Sequence, residues 1–490
     1  MDLATLLNSI KVIQVAGEIS RSQITGIFHD SRKVIKNSVF VAVKGYKTDG
    51  HQFIPDAISK GAAAIVLEDD NVIPDDAITK QNAAKILVSN SRKALADLSN
   101  FYFNEPSKRI KLIGVTGTNG KTTTTFFIKS VLEFCGYKTG LVGTIKNLIG
   151  DKEAVSSLTT PESNELNQLL SDMIKEGCGH AVMEVSSHSL QLKRVHRIHF
   201  SCAAFTNLTQ EHLDFHGNME NYFNAKKILF DSLDTSAFAV YNIDDGYGSR
   251  IVSNSKAQKY SFGTSLSADY KISDVNYDLN GTRFKIFHKN DEYKISTSLV
   301  GEFNAYNACC AFIVGDLMGM DKDKIIQGIY NTKQVPGRFE VLGTGDKKVI
   351  VDYSHTPDSL EKALSVIRKI VGNTEPVYTV FGCGGNRDRT KRPLMGKIAS
   401  EMSDHVIITS DNPRFEEPMA IINEIKSGIN KKNYMVIENR AEAIKTALQK
   451  SESNAVILIA GKGHENYQEI SGVRNHFSDK EIAEEYLRNE

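Results

Sequence analysis

Gly117, Gly120, Lys121 and Thr122 stand within the run Ile113-Gly114-Val115-Thr116-Gly117-Thr118-Asn119-Gly120-Lys121-Thr122-Thr123. The run follows a predicted strand and opens a predicted helix that reaches about Tyr137. Glycines let backbone N–H groups close around phosphate, and the helix N-terminus adds partial positive charge at the same place. In such a loop Lys121 reaches the β- and γ-phosphates and the Thr122 hydroxyl binds Mg2+, with Gly117, Thr118, Asn119, Gly120 and Thr123 completing the cradle. The commonest spacing has a glycine where Val115 stands; here the glycines fall at 114 and 117. The loop alone implies a nucleotide and no particular reaction, since motors, kinases and GTPases share it.

Three further groups of residues could do chemistry. Val182-Met183-Glu184 ends an apolar run in a carboxylate, which at a strand tip beside a nucleotide can bind Mg2+, a hard ion that prefers oxygen; a cap or a solvated charge is the alternative. Thr206 to Gly217 is a polar loop with Glu211, His212, Asp214 and His216, and it leads into a predicted helix carrying Lys226 and Lys227. Lysines there read, by themselves, as a solvated face. Finally, Gly382-Cys383-Gly384-Gly385-Asn386-Arg387-Asp388-Arg389, Ser410-Asp411-Asn412-Pro413-Arg414 and Gly461-Lys462-Gly463-His464-Glu465 each follow an apolar run. An arginine binds a carboxylate bidentately, and acids or carbonyls hold an ammonium. A plain turn also accounts for Asp-Asn-Pro-Arg.

The elements that must position these groups are α/β throughout. Short β-branched runs at Phe40 to Val43, Ala64 to Leu67 and Ile86 to Val88 alternate with helix-like stretches, which predicts a small α/β domain over 1–107. Phe101-Tyr102-Phe103-Asn104-Glu105-Pro106-Ser107 ends it. A larger α/β segment spans 108–334 and contains a predicted hairpin, Val275 to Leu279 and Thr282 to Phe287, turning at Asn280-Gly281 with both turn residues at positive φ. From 335 to 490, the runs Val349 to Val351, Val377 to Phe381, His405 to Thr409 and Ala455 to Ala460 each end in a polar or glycine-rich loop. That is the pattern of an open parallel sheet, whose ligands sit beyond the carboxyl ends of its strands.

Bulk properties narrow the partners. Lys plus Arg and Asp plus Glu number 59 each, so no bulk field draws the chain to nucleic acid or an anionic membrane. No apolar run approaches the roughly 18 residues of a spanning helix, and the N-terminus lacks a basic-then-apolar signal. Six cysteines without a Cys-x-x-Cys pair form neither a disulfide framework nor a zinc site, so a reducing cytoplasm is expected. Nothing calls for an obligate partner, and a monomer is expected.

Taken in order, Gly117-Thr118-Asn119-Gly120-Lys121-Thr122, Glu184-Val185-Ser186-Ser187-His188, Glu211-His212-Leu213-Asp214-Phe215-His216-Gly217 and Tyr222-x-x-Ala225-Lys226 resemble the motifs of the Mur ligases over essentially the whole chain. The resemblance implies three domains: a small N-terminal α/β domain for a UDP-linked substrate, a central P-loop ATPase domain, and a C-terminal Rossmann-like domain for an amino acid. It implies carboxylate activation by ATP with Mg2+, a carbamylated Lys226 and His212 on a second Mg2+, and Glu184 on the first. It places Asn304, Arg338 and Asp352 on ATP, with His355 in its neighbourhood. Ser31, Thr159, Thr160, Ser186 and Arg194 are placed on a UDP-muramoyl-dipeptide. Asp411-Asn412-Pro413-Arg414 resembles the signature of members that add meso-diaminopimelate, with Arg387, Gly461 and Glu465 completing that pocket. Lysine-adding members lack the arginine at the place of Arg414. A folylpolyglutamate synthetase and a non-catalytic nucleotide switch explain fewer of these residues.

Overall fold

The structure is a computed structural model that describes residues 1–490 apart from Ser20, Tyr46, Lys47, Val155, Ser157, Thr344, Gly345, Asp346, Asn373 and Glu490. Three sheets follow one another along the chain. Strands β1 (Val12–Ala16), β2 (Ile27–Phe28), β3 (Val39–Val41), β4 (Ala64–Leu67) and β5 (Ala84–Val88) form the first, in the order β1-β5-β4-β3-β2. It is parallel except for β1.

The central sheet takes β6 (Lys111–Thr116), β7 (Thr139–Val142), β8 (Asn147–Ile149), β9 (Lys152–Ala154), β10 (His180–Glu184), β11 (Cys202–Phe205), β12 (Phe238–Asn242), β13 (Gln258–Gly263), β14 (Tyr270–Asp278), β15 (Gly281–His288) and β16 (Asp291–Thr297). Their order is β16-β15-β14-β13-β12-β11-β6-β10-β7-β8-β9. β6 therefore lies between β10 and β11, parallel to both, with Glu184 level with Val115 and Phe205 level with Thr116. Three strand ends open onto one edge, which is where an open parallel sheet binds ligands.

Burial on both faces explains why these strands read as continuous apolar runs. From β6, Ile113 and Val115 join a cluster with Phe127, Val131, Cys309 and Phe312 of the helices Lys121–Phe134 and Glu302–Leu317. Leu112 faces the other way, toward Leu166, Leu170, Leu229 and Phe230 of the helices Ser163–Lys175 and Met219–Asp231. Each such side chain contributes about 1.5–3 kcal/mol when fully buried. The adjacent Cys309 and Cys310 are part of this core. All six cysteines are free.

The β14–β15 hairpin turns one residue earlier than expected. Asp278 pairs with Gly281, so Leu279 and Asn280 make the turn, and Asp278 Oδ1 accepts the Asn280 N–H at 2.7 Å. Gly281 has φ 150° while Asn280 does not reach positive φ. A side chain at Gly281 would place its Cβ 2.1 Å from the Thr297 carbonyl oxygen, so the glycine serves a close strand approach.

The third sheet comprises β17 (Glu340–Leu342), β18 (Lys348–Asp352), β19 (Val377–Phe381), β20 (His405–Ile408), β21 (Tyr434–Val436) and β22 (Val456–Ala460), ordered β17-β18-β22-β19-β20-β21. All but β17 run parallel. A hairpin, β23 (Tyr467–Ile470) and β24 (Val473–His476), follows. Among the described residues, no helix is long and apolar enough to cross a membrane.

One buried ion pair ties the C-terminal helix to this sheet. Arg440 Nε and Nη2 donate to the two oxygens of Asp479 at 2.7 and 2.8 Å, and Nη2 also donates to Ala460 O, the last residue of β22. Both side chains are fully buried. Removing one partner of such a pair leaves an uncompensated charge in the interior. Asp479→Ala is expected to lower the unfolding free energy by about 3–5 kcal/mol, measured by urea denaturation.

Candidate active site

The phosphate loop is held by neighbours that leave no slack. Gly117 has φ 149°, and a Cβ there would lie 1.9 Å from Thr206 Oγ1. Gly120 has φ 87° and faces Asn307 Oδ1. Thr118 N–H donates to Asn207 O at 2.8 Å, Asn119 N–H to Asn207 Oδ1 at 3.0 Å, and Thr118 Oγ1 lies 3.1 Å from the Tyr222 hydroxyl. Lys121 Nζ donates to Gly117 O and Thr118 O at 3.0 and 2.7 Å, so its charge sits inside the loop. Burial pushes its ammonium below the usual lysine range.

Glu184, at the tip of β10, is 1% exposed. It accepts from Thr122 Oγ1 at 3.0 Å and from Thr144 N–H and Oγ1 at 2.8 and 3.1 Å. A carboxylate and a hydroxyl meeting beside a phosphate loop make a hard oxygen donor set suited to Mg2+. Lys226 completes the floor. Asn218 caps its helix, whose buried stripe runs Tyr222, Ala225, Lys226, Leu229 and Phe230. Lys226 is 1% exposed, and its Nζ donates to Gly117 O at 2.7 Å and lies 4.6 Å from the Tyr222 ring centre. Burial, then the nearby charge of Lys121, drives its pKa well below the usual lysine value. Lys227, one position on, instead pairs with Asp231 at the surface.

His212 has φ 57°, and its ring packs 4.8 Å from that of His188. Burial lowers its pKa, and Glu211 at 3.8 Å partly opposes this. Burial works against ionisation of Glu211, but His212, His355, Lys121 and Lys226 together hold it below the usual carboxylate range. Among the described residues, three or more His, Cys, Asp or Glu side chains nowhere gather as a metal cluster. Lys226 is not among those residue types, and any role for it as a ligand depends on its becoming a carbamate.

The C-terminal unit closes the other side. Arg338 Nη2 donates to Thr122 Oγ1 at 3.4 Å and its guanidinium lies 4.6 Å from the Tyr353 ring centre. Asp352 is tied to Phe339 N–H at 2.6 Å and Ser354 N–H at 2.9 Å, and burial raises its pKa. Burial lowers that of His355. Asp358, absent from the sequence reading, accepts from Asn119 Nδ2 at 3.1 Å and Thr209 Oγ1 at 3.3 Å, joining phosphate loop to C-terminal unit. A cavity of about 740 Å3 lies between them, lined by Asn307, Tyr306, Phe303, Arg338, Asp352 and His355 among others. Asn304 sits behind that wall: its Nδ2 donates to Val300 O and its Oδ1 accepts from Asn307 Nδ2.

Thr159, Thr160, Ser186 and Arg194 surround the far side of Glu184. Thr159 Oγ1 accepts from Thr144 Oγ1, Thr160 Oγ1 donates to Glu184 O, Ser186 N–H donates to Thr160 Oγ1, and Arg194 Nη1 donates to Thr160 O. Arg194 also pairs with Glu162 at 2.8 Å. Ser31 is buried in the turn after β2, flanked by His29 on Asn164 and Lys33 on Glu165 of the central unit.

At the third sheet, the loops after β19, β20 and β22 converge. Gly385 N–H donates to Asn412 O, and a Cβ on Gly385 would meet Pro413 O at 1.9 Å. Arg414, at φ 54°, donates from Nη1 to Gly385 O at 2.8 Å. Asn412 Nδ2 donates to Glu465 Oε2 at 2.8 Å, and Gly461 at φ 118° brings its backbone against Asp411. Arg387 is exposed beside them. Lys462, not chosen from the sequence, is buried among these groups. Its signal was a lysine set between two glycines immediately beyond an apolar strand.

Sequence profiles described as Mur ligase middle domain, Mur ligase glutamate ligase domain, and Mur ligase family catalytic domain match residues 115–315, 337–463 and 23–103. A UDP-N-acetylmuramoyl-L-alanyl-D-glutamate–2,6-diaminopimelate ligase from Clostridium botulinum is 44% identical, with 100% of each chain covered. The chain belongs to the Mur ligase family. A like-named ligase from Cytophaga hutchinsonii is 41% identical to this Mur ligase, over 99% of both chains. A solved structure of a ligase of that name superposes with TM-score 0.70 at 31% identity, covering 100% of this chain and 99% of the other.

Gly117→Ala is expected to weaken ATP binding by about tenfold or more, because the added methyl overpacks against Thr206 and strains a backbone only glycine adopts readily. Titration calorimetry with ATP checks this.

Proposed function

We propose that this Mur ligase joins meso-diaminopimelate to the D-glutamyl carboxylate of UDP-N-acetylmuramoyl-L-alanyl-D-glutamate, converting ATP to ADP and phosphate, in peptidoglycan synthesis. Residues 1–107 receive the UDP-linked substrate, 108–334 the ATP, and 335–490 the amino acid. The observation that carries the acceptor assignment is the convergence of Arg414 with Asp411 and Glu465 on one sheet edge. Diaminopimelate has a carboxylate and an ammonium at its distal end, and a guanidinium beside carboxylates meets both. Lysine offers no distal carboxylate for Arg414.

Each group then has a task. Gly117 to Thr123 and Arg338 bind the phosphates, with Lys121 exchanging its loop carbonyls for β- and γ-phosphate oxygens. Asp352 meets the ribose and Asn304 stiffens the adenine wall through Asn307. Thr122 and Glu184 would hold one Mg2+, and His212 with a carbamylated Lys226 a second. Bound there, such cations offset the repulsion between two anions and clamp an in-line displacement. Ser31, Thr159, Thr160, Ser186 and Arg194 hold the muramoyl-dipeptide so that its carboxylate oxygen attacks the γ-phosphorus, breaking the bond to ADP. The acceptor amine then attacks the acyl phosphate carbon, phosphate leaves, and the amine proton passes to solvent. The C-terminal loops position that amine.

Phosphate release with ATP, Mg2+ and the muramoyl-dipeptide is expected to be stimulated strongly by meso-diaminopimelate and weakly by L-lysine. In Arg414→Ala the KM for diaminopimelate should rise about tenfold to a hundredfold, the loss of a charged hydrogen-bonded pair, with ATP binding retained. Stimulation by lysine instead would overturn the acceptor assignment.

A further inference from the structure

We propose that Lys462 is a positioning residue for the acceptor, turning Glu465 so that one carboxylate oxygen stays available to the acceptor's distal ammonium. This rests on the reading that these loops receive diaminopimelate. Lys462 directly follows Gly461 at the end of β22 and is 0% exposed. Its Nζ lies 3.0 Å from Asn412 Oδ1, 3.3 Å from Glu465 Oε2 and 3.6 Å from Asp411 Oδ1. The rings of Tyr467 and Phe477 stand 5.5 and 6.0 Å away. A lysine is almost never fully buried unless paired, and here the partners are the side chains of two different acceptor loops.

Two features separate this arrangement from an ordinary buried ion pair. The first is stoichiometry: Asp411 and Glu465 bring two carboxylates against the single ammonium of Lys462, and among the described residues the buried Asp411 Oδ1 keeps no hydrogen-bond partner. The second is direction. Lys462 Nζ and Asn412 Nδ2 both donate to Glu465 Oε2, and among the described residues the hydrogen bonds of that carboxylate fall on this oxygen. Oε1 is thereby left for a ligand. Asn412 keeps the Glu469 N–H on its Oδ1 at 2.9 Å, so its own orientation does not depend on Lys462 alone. Arg414 Nη1 lies 2.9 Å from where a Cβ on Gly384 would be, so the guanidinium lies at the same convergence of loops.

The test is steady-state phosphate release with varied diaminopimelate at saturating ATP and muramoyl-dipeptide, for the parent, Glu465→Gln, Lys462→Met and the double variant. Each single variant is expected to raise the KM for diaminopimelate about tenfold or more and to leave the KM for ATP unchanged. The double variant should be no worse than Glu465→Gln, because residues acting through one group are not additive. An unchanged KM in Lys462→Met, or losses that multiply in the double variant, would overturn the role of Lys462. If Lys462→Met does not fold, the double variant against Glu465→Gln decides the matter, since it removes one charge of each sign. A parent indifferent to diaminopimelate would overturn the functional reading itself, and the role of Lys462 with it.

Discussion

The hydrogen bond from Lys226 Nζ to the Gly117 carbonyl, at 2.7 Å, joins the only lysine on the buried stripe of its helix to the glycine-rich loop that opens the helix Lys121–Phe134. Everything around it is arranged to tolerate that burial. Tyr222 presents a ring face to the amine, Gly117 forgoes a side chain so that Thr206 can close over the loop, and Thr118 is bonded to the Tyr222 hydroxyl. Desolvation penalises an ammonium most where no carboxylate is in hydrogen-bonding contact, and Lys121 adds like charge. The outcome is a lysine held toward its uncharged amine, the nucleophilic form.

Opposite charges are handled differently in the loops of the third sheet. Around Lys462, the loops after β20 and β22 bring two carboxylates and a side-chain amide onto one buried ammonium. The Arg440–Asp479 pair fixes the end of β22 from behind. One unit thus suppresses the charge of a buried lysine, and the other pairs its buried lysine with carboxylates. Asp358, reaching from the third sheet to Asn119 and Thr209, links the two.

Much of this could be read from residues alone. Polar or glycine-rich loops following apolar runs marked the loop before Lys121 and the three loops of the third sheet, because a parallel strand must be apolar on both faces and the loop beyond it polar. Ala64 to Leu67 and Val377 to Phe381 coincide with β4 and β19. Other features depend on contacts that local pattern does not encode. Asp358 and Asn119 are 239 positions apart. Lys462 is buried by side chains from loops that precede and follow it in the chain. Asn304 lies one layer behind the cavity wall and is bonded to Asn307, which lines the cavity. The hairpin turn shifted by one residue because the Asp278 side chain competes for the Asn280 N–H.

The most direct test of the buried amine is carbon-13 NMR of the protein equilibrated with carbon-13 bicarbonate at mildly alkaline pH. An uncharged Lys226 forms a nitrogen–carbon bond to carbon dioxide and releases one proton to solvent, giving a carbamate. One protein-bound carbamate resonance is expected, vanishing in Lys226→Ala and persisting in Lys227→Ala. No such resonance, or one that survives Lys226→Ala, would contradict an uncharged Lys226.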